Sequence, residues 1–416
     1  MKIIVHDYAG YAPPIELSRV LARRGHEVIH AYFAGDRGPK GDLARVPGDS
    51  PSLSFVAVQI SRPYDKASYV QRRFNDVAYG RAMAGLIGRE KPDLVISGNT
   101  PTEAQGAIIA ACRECSSAFV FWVQDFYSIA VSMLLRRKSW ALGAAIGMYY
   151  RFLERRQLRR SDAIVVITDQ FRELAGSWAG SAQKVFTVEN WGDLKSVTPG
   201  QKVNEWSRKN GVAETFNFVY AGTLGLKHNP QLLIELARRM KGKAQVIVVS
   251  HGIGVSRLVD AKSKENLDNL IVLPLMPPSE FSMALAAADV AVAVIEPEAG
   301  IFSVPSKVLS YFCARRAVLL AAPTENLAAK LVAQEAAGLV VDPCDISAFL
   351  TAASRLRSDA ELRSNAARRG RDYAERTFDV ERVADRFESI FSKAMTARPT
   401  ALRGFRKTVR APRRAF

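Results

Sequence analysis

From the first residue, short apolar runs closed by polar loops alternate with stretches of helical periodicity. Lys2 to Val5 is apolar and ends at His6-Asp7; Gly10 and Pro13-Pro14 follow, then a helical pattern through Leu17, Val20 and Leu21 that stops at Gly25. The same rhythm predicts strands at Glu27 to Phe33, Ser54 to Gln59, Asp93 to Ser97, Ala118 to Val123, Ala163 to Ile167 and Lys184 to Val188. Continuously apolar strands joined through helices imply parallel sheets covered on both faces. The expected class is α/β, with doubly wound, Rossmann-like domains.

The rhythm lapses into polar sequence from Ser196 to Thr215, then restarts with strands expected at Phe216 to Ala221, Ala244 to Val249, Leu270 to Leu273, Val290 to Val294, Ala317 to Leu320 and Leu339 to Val341. Asp345 to Lys393 is helical in pattern, broken near Thr377-Phe378. The expected organisation is a first domain over 1–195, a linker over 196–214, a second domain over 215–376, a helix over 377–395 returning to the first domain, and a basic disordered tail over 396–416. Two such domains would place ligands at the carboxyl ends of their strands, in a cleft between them.

At 416 residues the chain is long enough for two substantial cores, which excludes a peptide hormone or a disulfide scaffold. A net charge of +17 suits nucleic acid, anionic lipid or a phosphorylated substrate. Its distribution narrows the choice. Arg136 to Arg160 carries a net +7, and Thr396 to Phe416 another +7 with no acid, so the rest is nearly neutral. One helix-sized block and one tail do not make a nucleic-acid reading face, and no nucleic-acid partner is expected.

Cys112 and Cys115 form a C-x-x-C, but Cys313 and Cys344 do not supply a second pair, so buried thiols are expected rather than a zinc or redox site. No apolar run reaches the length needed to span a bilayer, and the N-terminus meets charge too early for a signal-peptide core. A cytoplasmic protein is the expectation.

Candidate chemistry clusters where strands end. Tyr220-Ala221 runs into Gly222-Thr223-Leu224-Gly225-Leu226-Lys227, in which glycines allow close backbone approach and Lys227 could meet a phosphate; a tight turn with a solvated lysine is the alternative. His251-Gly252 forms a second glycine turn after a strand. Pro305 at a helix start leaves the N–H groups of Ser306 and Lys307 free, and with the Lys307 ammonium they could hold a diphosphate. Glu296 or Glu298 could accept hydrogen bonds from sugar hydroxyls; a capped helix with surface acids is the alternative.

The order Y-A-G-T-L-G-L-K, H-G-I-G, L-P-L-M-P-P, A-D-V-A-V and P-S-K-V-L-S-Y resembles the nucleotide-sugar domain of the retaining glycosyltransferases of family 4, which have the GT-B fold. Gly25-His26-Glu27-Val28 and Val188 to Asp193 resemble that family's first domain, and the likeness is nearest to the branch that builds bacterial surface polysaccharides. The resemblance implies a donor site of Gly10, Gly222, Lys227, His251, Gly252, Glu298, Pro305, Ser306, Lys307 and Ser310. It implies an acceptor site at Tyr11, Asn99 and Thr100, and catalytic roles for Asp125, Lys227 and Glu298. Where the family often shows two glutamates eight residues apart, this chain has Phe302 and Ser310, so Glu298 is the candidate substitute; Arg315 stands where a glycine is common. Asp125 could act as base or electrostatic partner, or simply cap a helix. The sequence contains no Asp-x-Asp, so no metal and no cofactor are expected, lysines and backbone donors neutralising the diphosphate instead.

Ala141 to Leu158 has apolar residues at 142, 145, 146, 149, 152 and 153, with Arg151, Arg155 and Arg159 along another face. Such a helix could rest on an anionic leaflet, or be a core helix with solvated arginines. The resulting expectation is a retaining transferase moving a sugar from a nucleotide-sugar donor, UDP favoured, to a lipid-linked saccharide acceptor at the inner face of the plasma membrane. The alternatives are a nucleotide-sugar epimerase of the same fold and a basic nucleic-acid-binding protein.

Overall fold

The computed structural model describes residues 1–36, 40–60, 69–136, 139–225, 228–298 and 305–397. The described chain forms two compact units, residues 1–36 with 42–189 and 380–397, and residues 40–41 with 190–379.

Unit 1 runs β1 (Lys2–Asp7), α1 (Ala12–Arg23), β2 (Glu27–Phe33), β3 (Leu53–Val58), α2 (Tyr69–Glu90), β4 (Leu94–Gly98), α3 (Thr102–Glu114), β5 (Ala118–Val123), α4 (Tyr127–Arg136), α5 (Trp140–Arg160), β6 (Ala163–Val166), α6 (Asp169–Ala179) and β7 (Val185–Thr187). Unit 2 continues with α7 (Glu205–Lys209), β8 (Asn217–Ala221), α8 (Pro230–Met240), β9 (Gln245–Val249), α9 (Gly254–Glu265), β10 (Leu270–Leu273), α10 (Pro278–Ala286), β11 (Val290–Val294), α11 (Lys307–Cys313), β12 (Ala317–Ala321), α12 (Leu327–Gln334), β13 (Gly338–Val341), α13 (Ile346–Ser358) and α14 (Ala360–Thr377). The last helix, α15 (Val380–Thr396), lies in unit 1.

Both sheets are parallel, ordered β3-β2-β1-β4-β5-β6-β7 and β10-β9-β8-β11-β12-β13. In each, the strand order reverses beside the first strand of the unit, β1 or β8, which is where doubly wound sheets bind ligands. Central strands β4, β8, β11 and β12 are buried along their whole length, so their apolar continuity in sequence reflects helices on both faces. β13 is half-buried throughout, as an edge strand can be.

Residues 196–214, expected as a linker, belong to unit 2. Asn204 and Ser207 close a reciprocal capping box on α7, and Trp206 and Val212 are buried. Polar composition hid this because few apolar anchors suffice for so short an element. α15 packs on α1, β5 and β6, with Phe387 edge-on to Trp122 at 5.0 Å, and Arg24 forms ion pairs with Glu381, Asp385 and Glu388 at 2.9, 2.7 and 2.5 Å.

Candidate active site

In unit 2 the site is built where β8 ends. Gly222 has φ +128°, a conformation closed to most side chains, and a Cβ there would lie 3.4 Å from Lys307 Cε and 3.8 Å from its Nζ. Lys307, first residue of α11, therefore reaches back over the strand end. Its Nζ sits 3.8 Å from the centroid of the Tyr220 ring and donates a hydrogen bond to the Tyr220 hydroxyl, which itself donates to the Thr223 carbonyl at 2.7 Å. Tyr311, one turn further along α11, donates to the Val292 carbonyl at 3.0 Å and accepts from the Ala221 N–H at 3.2 Å, locking the helix to β8 and β11.

Although the Lys307 side chain as a whole is only part-buried, its ammonium is desolvated, and burial alone pulls its pKa from 10.5 down to about 7. No carboxylate pairs with it among the described residues. A charge held in place by an aromatic face and a phenol, without a counter-ion, is a site prepared for an anion. Beside it Pro305 is buried and Ser306 exposed, and the N–H groups of Ser306 and Lys307 meet no acceptor among the described residues. Ser310 is half-buried on the same helix.

The loops after β8 and β9 are joined by backbone bonds, Leu224 N–H to the His251 carbonyl at 2.9 Å and Gly254 N–H to the Leu224 carbonyl at 3.0 Å. Gly252 (φ +113°) is needed there because a Cβ would come within 2.8 Å of the Leu224 carbonyl oxygen. The glycine thus serves loop-to-loop approach directly. Glu298 is half-buried on a short turn after β11 and, with Glu296, acts electrostatically on the Cys344 thiol. Lys227 and Phe302 lie outside the described residues.

In unit 1 the corresponding strand ends hold Asp7, Asn99, Thr100 and Asp125. Asp7 is buried and uses both oxygens, accepting from Tyr11 N–H and Asn99 Nδ2, each at 2.6 Å. Those bonds tie the β1 loop to the β4 loop, where Asn99 takes a left-handed φ of +55°. Gly10 (φ +74°) makes the turn between Asp7 and Tyr11. Thr100 Oγ1 donates to the Gly98 carbonyl and bonds Ser97 Oγ, both at 2.9 Å, so its hydroxyl belongs to a buried network. That network continues to His6, kept neutral by burial with a pKa near 3, whose ring nitrogens bond Ser97 Oγ and Tyr79 OH at 2.8 Å.

Tyr11 keeps 40% of its surface open. Desolvation at its hydroxyl, then the carboxylates of Asp7, Asp36 and Asp125, hold its phenol above the ordinary range and so protonated. The same interactions put exposed Asp125 near Tyr11. Asp7 and Tyr220 were not singled out from sequence; a carboxylate closing a buried strand three residues before a glycine was the available signal for the first. Among the described residues no group of three or more His, Cys, Asp or Glu could hold a metal ion.

Two Rossmann-like units, each carrying polar groups at the carboxyl ends of its switch-point strands, are the components of the GT-B fold. Residues 16–191 match the model of the glycosyl transferase 4-like domain. Similar solved structures include sucrose-phosphate synthase from Thermosynechococcus elongatus (TM-score 0.73, 14% identity, 96% of this chain and 100% of that one). Anabaena Alr3699/HepE in complex with UDP-glucose matches with a TM-score of 0.69 at 13% identity, covering 94% of this chain and 99% of that one. WaaG, a glycosyltransferase involved in lipopolysaccharide biosynthesis, matches at 0.63 and 15%, with 94% and 99% covered. At such identities these likenesses establish the fold. No curated protein matches the chain in sequence.

Proposed function

We infer that the chain transfers a sugar, with retention of configuration, from a UDP-sugar to a lipid-linked saccharide during assembly of a cell-surface polysaccharide. The observation that carries this reading is the desolvated, unpaired Lys307 ammonium at the end of β8. A diphosphate arriving there gains a charge-assisted hydrogen bond and restores the proton that burial disfavours. Lys307, the Ser306 and Lys307 N–H groups and Lys227 neutralise the leaving diphosphate without a metal ion. Glu298 orients the sugar, and Asp125 stabilises the developing positive charge or takes the acceptor proton. Asp7 positions Tyr11 and Asn99 for the acceptor. UDP is favoured because the similar Anabaena protein is described in complex with UDP-glucose.

The lipid-linked acceptor is supported by α5. Its buried residues are Gly143, Gly147, Glu154, Gln157 and Leu158, whereas Trp140, Met148 and Phe152 are 71%, 66% and 62% exposed. Glycine packing explains the inversion: a Cβ at Gly143 would meet the Arg136 backbone at 2.5 Å, and one at Gly147 would meet Ser132 at 2.6 Å, so α4 occupies the small side and the bulky side faces out. Met148 and Phe152 border a groove with Arg151, Arg155, Arg156, Arg159 and Arg160. Apolar anchors flanked by arginines suit the inner, anionic membrane surface. No described helix is long and apolar enough to cross a membrane.

The test is thermal shift of the purified chain against a panel of nucleotide sugars, followed by release of nucleoside diphosphate on adding lipid-linked acceptor in EDTA. A shift with one UDP-sugar and turnover in chelator are expected. Complete loss of turnover in EDTA, or no shift with any nucleotide sugar, would count against the reading.

A further inference from the structure

Unit 2 has a cationic cavity at the amino end of its sheet. Asp289 precedes β11 and Arg315-Arg316 precede β12; because the strands are parallel, these residues lie at the amino ends, opposite Gly222. They line a cavity of about 520 Å³ together with Gln201, Arg363 and Ser364.

The charges there are unbalanced, and Arg316 and Arg363 are held in position. Asp289, the cavity's one carboxylate, is engaged by Lys202 at 2.7 Å and by the Asn217 N–H at 2.8 Å. Arg316 is anchored through its Nη atoms to the Ala288 and Gly200 carbonyls at 3.2 and 2.6 Å, while its buried Nε has no hydrogen-bond partner among the described residues. Burial disfavours its charge; Asp289 offsets this and Arg315 adds to it. Arg363 is fixed by the Leu356 and Arg357 carbonyls at 2.7 and 2.9 Å and by the Phe216 ring. Arg315 is exposed, forms no ion pair among the described residues, and occupies a left-handed φ of +55°. A glycine would adopt that conformation freely, so here a strained backbone presents a cation beside two others. The first turns of α14, from Ala360 onward, complete the wall; their start is capped by Asp359, which accepts the Leu362 N–H at 2.8 Å.

We propose that the Arg315–Arg316–Arg363 cavity binds the phosphate group of a small phosphorylated metabolite, at a site separate from the one that holds the sugar donor. Guanidinium groups match phosphate geometry, two of the three are held by backbone carbonyls, and the cavity volume leaves room for the rest of such a molecule.

Inorganic phosphate is the probe, titrated into the full chain against chloride at equal ionic strength, with thermal unfolding as the readout. Wild type should melt about 3–6 °C higher near saturation. Arg315→Gly, which removes the charge at a position where glycine is unstrained, should fold with a similar baseline and lose most of that shift. If the shift keeps more than half its size in Arg315→Gly, phosphate acts at the donor site or through general solvent exclusion, and the proposal is overturned. A wild type that phosphate does not stabilise beyond chloride overturns it as well.

Discussion

The Lys307 ammonium rests 3.8 Å from the centroid of the Tyr220 ring and bonds its hydroxyl, although 87 residues separate the two in sequence. Under the proposed function, an isolated cation so placed makes donor binding a protonation event. Burial gives Lys307 a pKa near 7 in the free protein, below its ordinary 10.5, so between these values the unfolded chain holds a proton that the folded chain sheds. Stability of the unliganded protein therefore rises with pH across that window on this residue's account. A bound diphosphate would raise the pKa again. UDP affinity should accordingly fall by up to about tenfold per pH unit above 7, with proton uptake visible by calorimetry in buffers of different ionisation enthalpy. In Lys307→Met the pH slope should vanish and kcat/KM fall by about 100-fold or more.

Gly222→Ala should weaken the same site sterically. Its φ of +128° excludes alanine without strain, and the added methyl would crowd Lys307 Cε. Unfolding should be easier by about 1–3 kcal/mol, and UDP binding weaker. Denaturant titration with and without UDP checks both.

On α5, replacing Trp140, Met148 and Phe152 by serine should abolish sedimentation with vesicles containing phosphatidylglycerol while leaving the melting temperature within about 2 °C, because these side chains are exposed. Wild-type binding that persists unchanged in the triple variant would contradict the membrane reading.

Beneath that face, Glu154 accepts hydrogen bonds from the Ser128 N–H and hydroxyl, yet burial raises its pKa from 4.5 to about 7. The folded state thus favours the protonated acid, and this residue's contribution is lost as pH rises from 4.5 through 7. Glu154→Gln should gain about 1–3 kcal/mol on the wild type between pH 4 and pH 8, measured by urea unfolding at both.

For the acceptor side, Asp7→Asn should lower kcat/KM by about tenfold or more with little change in UDP affinity. One oxygen would become a donor facing the Tyr11 N–H or Asn99 Nδ2, loosening the loop that carries Tyr11. Equal losses in UDP affinity would contradict that division of roles.

How much of this was legible in the amino acids depended on range. Periodicity located every strand from Lys2 to Val341 within a residue or two, because continuous burial in a parallel sheet leaves a local apolar record. Strand ends, glycines and the Pro305-Ser306-Lys307 segment then marked Lys307 as a candidate. Pairing across distance left no such trace: that Asp7 would grip Asn99, 92 positions away, or that Lys307 would find Tyr220, follows from strand order. The α5 helix shows the same limit within one element. Its sequence contains an apolar set and an arginine set, but which side is buried was decided by α4 docking on Gly143 and Gly147, since close helix approach rewards the absence of a side chain and turns the larger ones outward.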